Sequence, residues 1–161
     1  MRSMGHEYRR GERFCKAALP LTLRWRRGKL SVMIVSVGID MVEVARIQKA
    51  LANRAIGKRF RDRVYTAEEI RYCERKGRGK YQSYAGRFAA KEAVMKALGR
   101  GWGAKVTWLN IEVVRARGGR PEIMLHNDTS ALARELRIRR FSLSITHTDD
   151  HALAYVIAQD D

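Results

Sequence analysis

The longest periodic segment of the chain, Tyr81 to Leu98, reads as a helix, and a carboxylate interrupts its apolar stripe. The stripe runs through Tyr81, Tyr84, Phe88, Met95 and Leu98, and Gly99 closes the segment. At about 100° per residue, Glu92 lies about 40° from Phe88, at one edge of the stripe. Lys91 enters at the other edge. A buried charge left unpaired costs on the order of several kcal/mol, so Glu92 needs a partner. Two are on offer. Lys96, four residues on, would make an ordinary i,i+4 pair. A hard cation would make Glu92 a ligand.

Around this helix the chain punctuates itself into short elements. Ile34 to Ile39 is a continuous apolar run of strand length, and Val42 to Asn53 has helical spacing with basic outward positions. Thr66 with Glu69 three residues on is a capping box, starting a helix to about Lys76. Trp108 to Arg115 and Pro121 to His126 flank Arg117-Gly118-Gly119-Arg120, the signature of a hairpin. Asp128 caps a helix to about Leu136. Phe141 to His147 alternates, with Phe141, Leu143 and Ile145 on one side and Ser142, Ser144 and Thr146 on the other. Ala152 to Ala158 returns as its partner strand. The order is strand, three helices, two strands, helix, two strands. It predicts a single α+β domain with helices packed on a mostly antiparallel sheet.

Residues 1–32 do not share this order. They carry nine Lys/Arg against two Asp/Glu and lack apolar periodicity, so they read as a basic N-terminal extension, disordered or mis-started, before a domain over 33–161. Leu19–Leu23 runs into charge rather than a small-residue cleavage site, which speaks against a secretory signal. No apolar run approaches the ~20 residues of a membrane span. Cys15 and Cys73 show no metal or redox spacing, which favours a reduced, cytoplasmic protein. The net charge of +16 calls for an acidic partner, be it nucleic acid, anionic lipid, a polyphosphate or an acidic protein.

Asp40 follows the first strand's Gly38-Ile39 and shares a side with Ile34, Ser36 and Gly38. It serves either as a cap for the helix from Val42 or as a second cation ligand. Mg²⁺ typically takes one or two carboxylates and fills its remaining positions with water and substrate phosphate, which Asp40 plus Glu92 would suit. Arg87, Lys96, Arg100 and His147 would suit the anionic rest of such a ligand, and Gly99, Gly101 and Gly103 leave backbone open to it.

Three blocks then converge on one family. Gly38-Ile39-Asp40-Met41-Val42-Glu43-Val44-Ala45-Arg46-Ile47, Arg87 through Gly99, and Ser144-Ile145-Thr146-His147-Thr148 with Ala152 to Val156 resemble, in order and spacing, the motifs of holo-acyl-carrier-protein synthases. The resemblance extends over residues 33–158 and leaves 1–32 without a counterpart. It implies Mg²⁺ ligands at Asp40 and Glu92 and coenzyme A contacts at Arg87, Lys96, His147 and Thr148. It also implies carrier-protein docking at Arg46 and a homotrimer with active sites between subunits. The implied reaction moves 4'-phosphopantetheine from coenzyme A to a serine of an acidic acyl carrier protein, for fatty acid biosynthesis. Lys96 would stabilise added negative charge, and either Glu92 or a metal-bound water would take the serine proton. The rival from the residues alone is a basic nucleic-acid-binding module without catalysis, stacking bases on Tyr81, Tyr84, Trp102 and Trp108. No nucleic-acid-binding signature accompanies it.

Overall fold

The computed structural model describes residues 32–161. The extension expected over residues 1–32 lies, but for Val32, outside them. Strand β1 (Ile34–Glu43) leads into four helices: α1 (Val44–Ala52), α2 (Gly57–Val64), α3 (Ala67–Glu74) and α4 (Lys80–Ala97). Then come β2 (Ile111–Arg115), β3 (Pro121–Leu125), α5 (Asn127–Glu135), β4 (Arg140–His147) and β5 (His151–Gln159). The class is α+β, and every strand pair is antiparallel.

The strands form two sheets rather than one. β5 is the middle of a three-stranded sheet between β1 and β4, while β2 and β3 form a separate ribbon. The ribbon turns through Gly118 and Gly119, at φ 88° and 84°. The loop has three residues, closed by Ala116 N–H donating to the Arg120 carbonyl and Gly119 N–H to the Ala116 carbonyl, and glycine adopts the two positive φ values without strain.

Three boundaries differ from the sequence reading. Val42 belongs to β1, where it pairs with Ala152, and α1 begins at Val44, whose N–H donates to the Asp150 carbonyl at 2.7 Å. Asp40 is therefore an inner strand position, not a helix cap. Helix α2 adds a fourth helix before the ribbon. Its eight residues are mostly charged, with Phe60 and Val64 as its apolar contacts, so its periodicity is too thin to stand out. The Asn53 carboxamide turns the chain into it by accepting from Ala55 N–H and Ile56 N–H. Lastly, α5 starts one residue before Asp128, after His126, and Asp128 lies in its first turn. The capping box stands as read: Glu69 N–H donates to Thr66 Oγ1, and Thr66 N–H to the Glu69 carboxylate.

Helix α4 is the core of the domain, buried nearly all round from Tyr84 to Ala97. A helix so enclosed needs small side chains wherever another backbone approaches, and Ala85, Ala89, Ala90, Ala93 and Ala97 supply them. Opposite lie Gly38 and the alanines of β5, Ala152, Ala154 and Ala158. The approach is closest at Gly38, where a Cβ would collide with the Ala93 carbonyl oxygen. Ser36, two residues before it, donates to the Ala97 carbonyl at 2.5 Å. Gly38→Ala should therefore lower stability by at least about 3 kcal/mol, because backbone rather than a flexible side chain must give way. Urea unfolding checks this, and a midpoint near the wild-type value would show that the two backbones separate cheaply.

Candidate functional site

The inner face of β1 presents Ser36, Gly38, Asp40 and Val42 to α4, in the alternation that a strand imposes. Asp40 thus faces the helix that carries Glu92 and Lys96. Lys96 bonds across this gap, its ammonium donating to Asp40 Oδ1 and to the Ile39 carbonyl, both at 2.9 Å. Its intrahelical pairing with Glu92 does not form. Glu92 is held instead by the indole of Trp108, whose Nε1–H donates to Glu92 Oε1 at 2.7 Å.

Each carboxylate therefore has one oxygen engaged by a protein donor, and no hydrogen bond among the described residues reaches the other oxygen. Two free carboxylate oxygens are hard donors of the kind Mg²⁺ takes, with the remaining positions filled by water and phosphate. Among the described residues no group of three or more His, Cys, Asp or Glu forms a closed metal cage. The donor set fits a cation shared with a phosphorylated ligand.

Lys91, next to Glu92, points to a different side of α4 and is wholly buried. Its ammonium meets the Glu69 carboxylate at 2.7 Å and donates to the Val64 and Trp108 carbonyls at 2.8 Å each. All three donor positions are used. Glu69 in turn accepts from Thr66 N–H and from Val113 N–H of β2. Burial pulls the Lys91 ammonium below its ordinary range, and the negative charge of Glu69 opposes that pull.

Arg87, one turn before Lys91 on the same side of α4, is buried to 6% exposure, its guanidinium 3.8 Å over the Tyr72 ring. Arg115 donates to the Tyr72 hydroxyl at 2.6 Å, and Lys76 lies 4.7 Å from the same ring. Burial raises the Tyr72 phenol, but its bond to Lys76 and the charges of Arg115, Arg87 and Lys76 outweigh that and lower it. The Arg87 Nε–H is buried without a protein partner, an open donor inside a cationic cluster. Among the described residues no hydrogen bond links this cluster to Asp40 or Glu92. His147 and Thr148 stand apart too. His147 ends β4 opposite Ala152, which pairs with Val42, so two strand spacings of about 4.8 Å each separate it from β1. Thr148 turns the chain, its hydroxyl accepting from Asp150 N–H and His151 N–H. Arg46 is exposed on the outer face of α1, away from buried Val44 and Ile47.

The sequence reading missed the ties between these groups. Glu69 and Lys91 were each marked, one as a cap and one as an intruder, but nothing in their spacing pairs them. Trp108 carried no signal of contact with Glu92. The aromatic surface that would stack bases is largely not one. Tyr84 is buried, and Trp108 is stacked within the domain against Phe88 and Trp102.

With this geometry in view, residues 36–156 match the 4'-phosphopantetheinyl transferase superfamily, and the chain belongs to it. The resemblance to known proteins is specific within that class. A holo-[acyl-carrier-protein] synthase of Koribacter versatilis is 46% identical over 128 residues, 80% of this chain and 100% of the relative. Among solved structures, holo-[acyl-carrier-protein] synthase of Neisseria meningitidis superposes with a TM-score of 0.70 at 36% identity, covering 78% of this chain and 98% of that one. The Helicobacter pylori enzyme, solved in complex with coenzyme A, gives 0.65 at 33% identity over 76% and 98%. The nucleic-acid reading finds no support in these relatives.

The buried pair makes a prediction. Lys91→Met should destabilise the fold by about 3–5 kcal/mol, because it strands the Glu69 carboxylate in the core. Lys91→Met combined with Glu69→Gln should recover part of that loss, since glutamine keeps the capping box without the charge. Chemical denaturation of both variants decides it. A double variant no more stable than the single would mean that the stranded charge is not the cause.

Proposed function

We propose that the chain transfers the 4'-phosphopantetheine arm of coenzyme A to a serine of apo acyl carrier protein, releasing adenosine 3',5'-bisphosphate. The observation that carries this reading is the pair of half-engaged carboxylates, Asp40 on the inner face of β1 and Glu92 on α4, in a chain of this superfamily. The serine gives its proton to Glu92 or to a water, its oxygen forms a bond to the β-phosphorus, the bond from that phosphorus to the oxygen bridging to the α-phosphate breaks, and the nucleotide leaves with the electron pair. Asp40 and Glu92 would hold a Mg²⁺ ion, which would supply positive charge to the phosphate oxygens. The Lys96 side chain, 55% exposed, is the cation with room to turn toward added negative charge. Little covalent chemistry falls to the protein, and positioning with charge neutralisation dominates.

The cluster of Arg87, Lys76 and Arg115 around Tyr72 offers a second subsite of matching charge for an anionic group. His147 and Thr148 are assigned to the same substrate. We further propose that a second subunit completes this active site. The outer face of the sheet supports that assembly. Val37, Ile39 and Met41 are 51%, 52% and 62% exposed and pair with Ile157, Tyr155 and Leu153 of β5. A contiguous apolar face of this kind marks an interaction surface. We assign it to a homotrimer. The reaction is assigned to the cytoplasm, where the free, buried thiol of Cys73 is at home. Among the described residues no helix is long and apolar enough to cross a membrane.

Three outcomes are expected. Asp40→Ala and Glu92→Ala should each abolish Mg²⁺-dependent transfer while the circular dichroism spectrum is unchanged. Mass spectrometry of the carrier reads the added arm, and near-normal turnover in either variant at low Mg²⁺ removes that residue from the ligand set. Arg46→Glu should raise the carrier KM several-fold at low salt and leave the coenzyme A KM unaltered, because exposed charges act mainly on encounter. An unchanged carrier KM places docking elsewhere. Met41→Glu should turn a trimer into a monomer in sedimentation equilibrium, and a wild-type protein that sediments as a monomer overturns the assembly.

A further inference from the structure

Trp108 joins two parts of the structure that are otherwise separate. Its carbonyl oxygen accepts from the buried Lys91 ammonium at 2.8 Å, and its indole N–H donates to Glu92 at 2.7 Å. Lys91 and Glu92 are sequence neighbours on α4 pointing in different directions, and a single residue holds both. The ring itself is also fixed. It stacks on Trp102 with centroids 5.7 Å apart and on Phe88 at 6.4 Å, and the Arg63 guanidinium caps the Trp102 face at 4.5 Å. An indole pinned at its backbone and on its faces is a rigid donor.

The two carboxylates are held by donors of different kinds. Asp40 is held by an ammonium on a flexible, half-exposed side chain, which cancels part of its charge. Glu92 is held by a neutral N–H on a stacked ring, which orients the carboxylate and leaves its charge in place for a cation. A glutamate side chain has three rotatable bonds, and without such a donor it would sample orientations that turn the free oxygen away.

We propose that Trp108 is a positioning residue for Glu92: its indole N–H engages Oε1 so that Oε2 is presented to the divalent cation. This rests on the reading of Glu92 as a ligand. Partners of metal ligands that lie one bond further out typically change metal affinity or activity by about 10–100-fold when removed. Trp108→Phe keeps an aromatic ring for the stack and deletes only the donor. Mn²⁺ binding to the full chain with coenzyme A present, read from the free-ion paramagnetic resonance signal, should weaken about tenfold in this variant. The KM for Mg²⁺ should rise by the same factor, while kcat at saturating Mg²⁺ changes by less than about threefold, since the interaction concerns affinity. Trp102→Phe perturbs the same stack but touches no carboxylate, and its Mn²⁺ binding should equal that of the wild type.

A Trp108→Phe protein that binds Mn²⁺ within twofold of the wild type overturns the proposal. So does a Trp102→Phe protein that loses as much affinity as Trp108→Phe. Should Trp108→Phe fail to fold, the wild type still decides the matter. In nitrogen-15 spectra the Trp108 indole N–H should resonate downfield and move upfield in Glu92→Ala, and an unmoved resonance refutes the hydrogen bond. Glu92→Ala also separates the two readings. If that variant binds Mn²⁺ like the wild type, the ligand assignment fails. If it loses Mn²⁺ while Trp108→Phe does not, only the positioning role fails.

Discussion

One ammonium group sits where most of the domain meets. Lys91 ends in a dry pocket, and its three donors are met by the end of α2, a side chain of α3 and the turn before β2. Taking a charge out of water is costly, and only complete satisfaction makes it tolerable. The cost is what makes the contact specific. α2, α3 and the turn at Trp108 cannot shift relative to α4 without leaving a hydrogen of that ammonium unmet. Glu69 multiplies the effect, because the same carboxylate starts α3 and receives an N–H from β2. The arrangement resembles a rivet more than a hydrophobic seam, and Glu92 lies one residue from its head.

The candidate functional groups are exposed to water to very different degrees, and that follows from which element carries each. Those on α4 inherit the rigidity of a helix enclosed on nearly every side. Asp40 inherits the register of a strand that packs backbone to backbone against that helix. Arg46, His147 and Thr148 lie at the periphery, on a helix surface and at a strand end. A transfer between a small nucleotide-bearing donor and a whole protein suits such a division, with a fixed centre for the phosphate and an open rim for the macromolecule.

Much of this was legible beforehand. The alternation of β4 fixed its faces, the glycine pair its hairpin, and Thr66 with Glu69 the start of α3, because each is a local rule that neighbours in sequence can satisfy. Glu92 was visible as an anomaly, a charge where the pattern asked for something apolar. What could not be read was which distant group answers it. Lys96 seemed the natural partner by spacing alone, yet it reaches across to β1, and an indole sixteen residues on takes its place. Helix α2 escaped for a different reason. Its burial rests on two apolar side chains, and tertiary contact rather than periodicity makes it a helix.

The contact between Gly38 and α4 also bears on how the chain avoids mistakes while it folds. A strand displaced by one residue exposes its other set of side chains to the helix. For β1 such a slip would drive Val37 or Ile39 into the place where a single added carbon is already too much. It would at the same time carry Asp40 away from Lys96. The misaligned sheet is therefore excluded by sterics before any ion pair is lost, and the correct alignment is the one that delivers a carboxylate to the helix. A position with no side chain thus acts as a proofreading device, and a chain that has closed this gap has already set its acid in place.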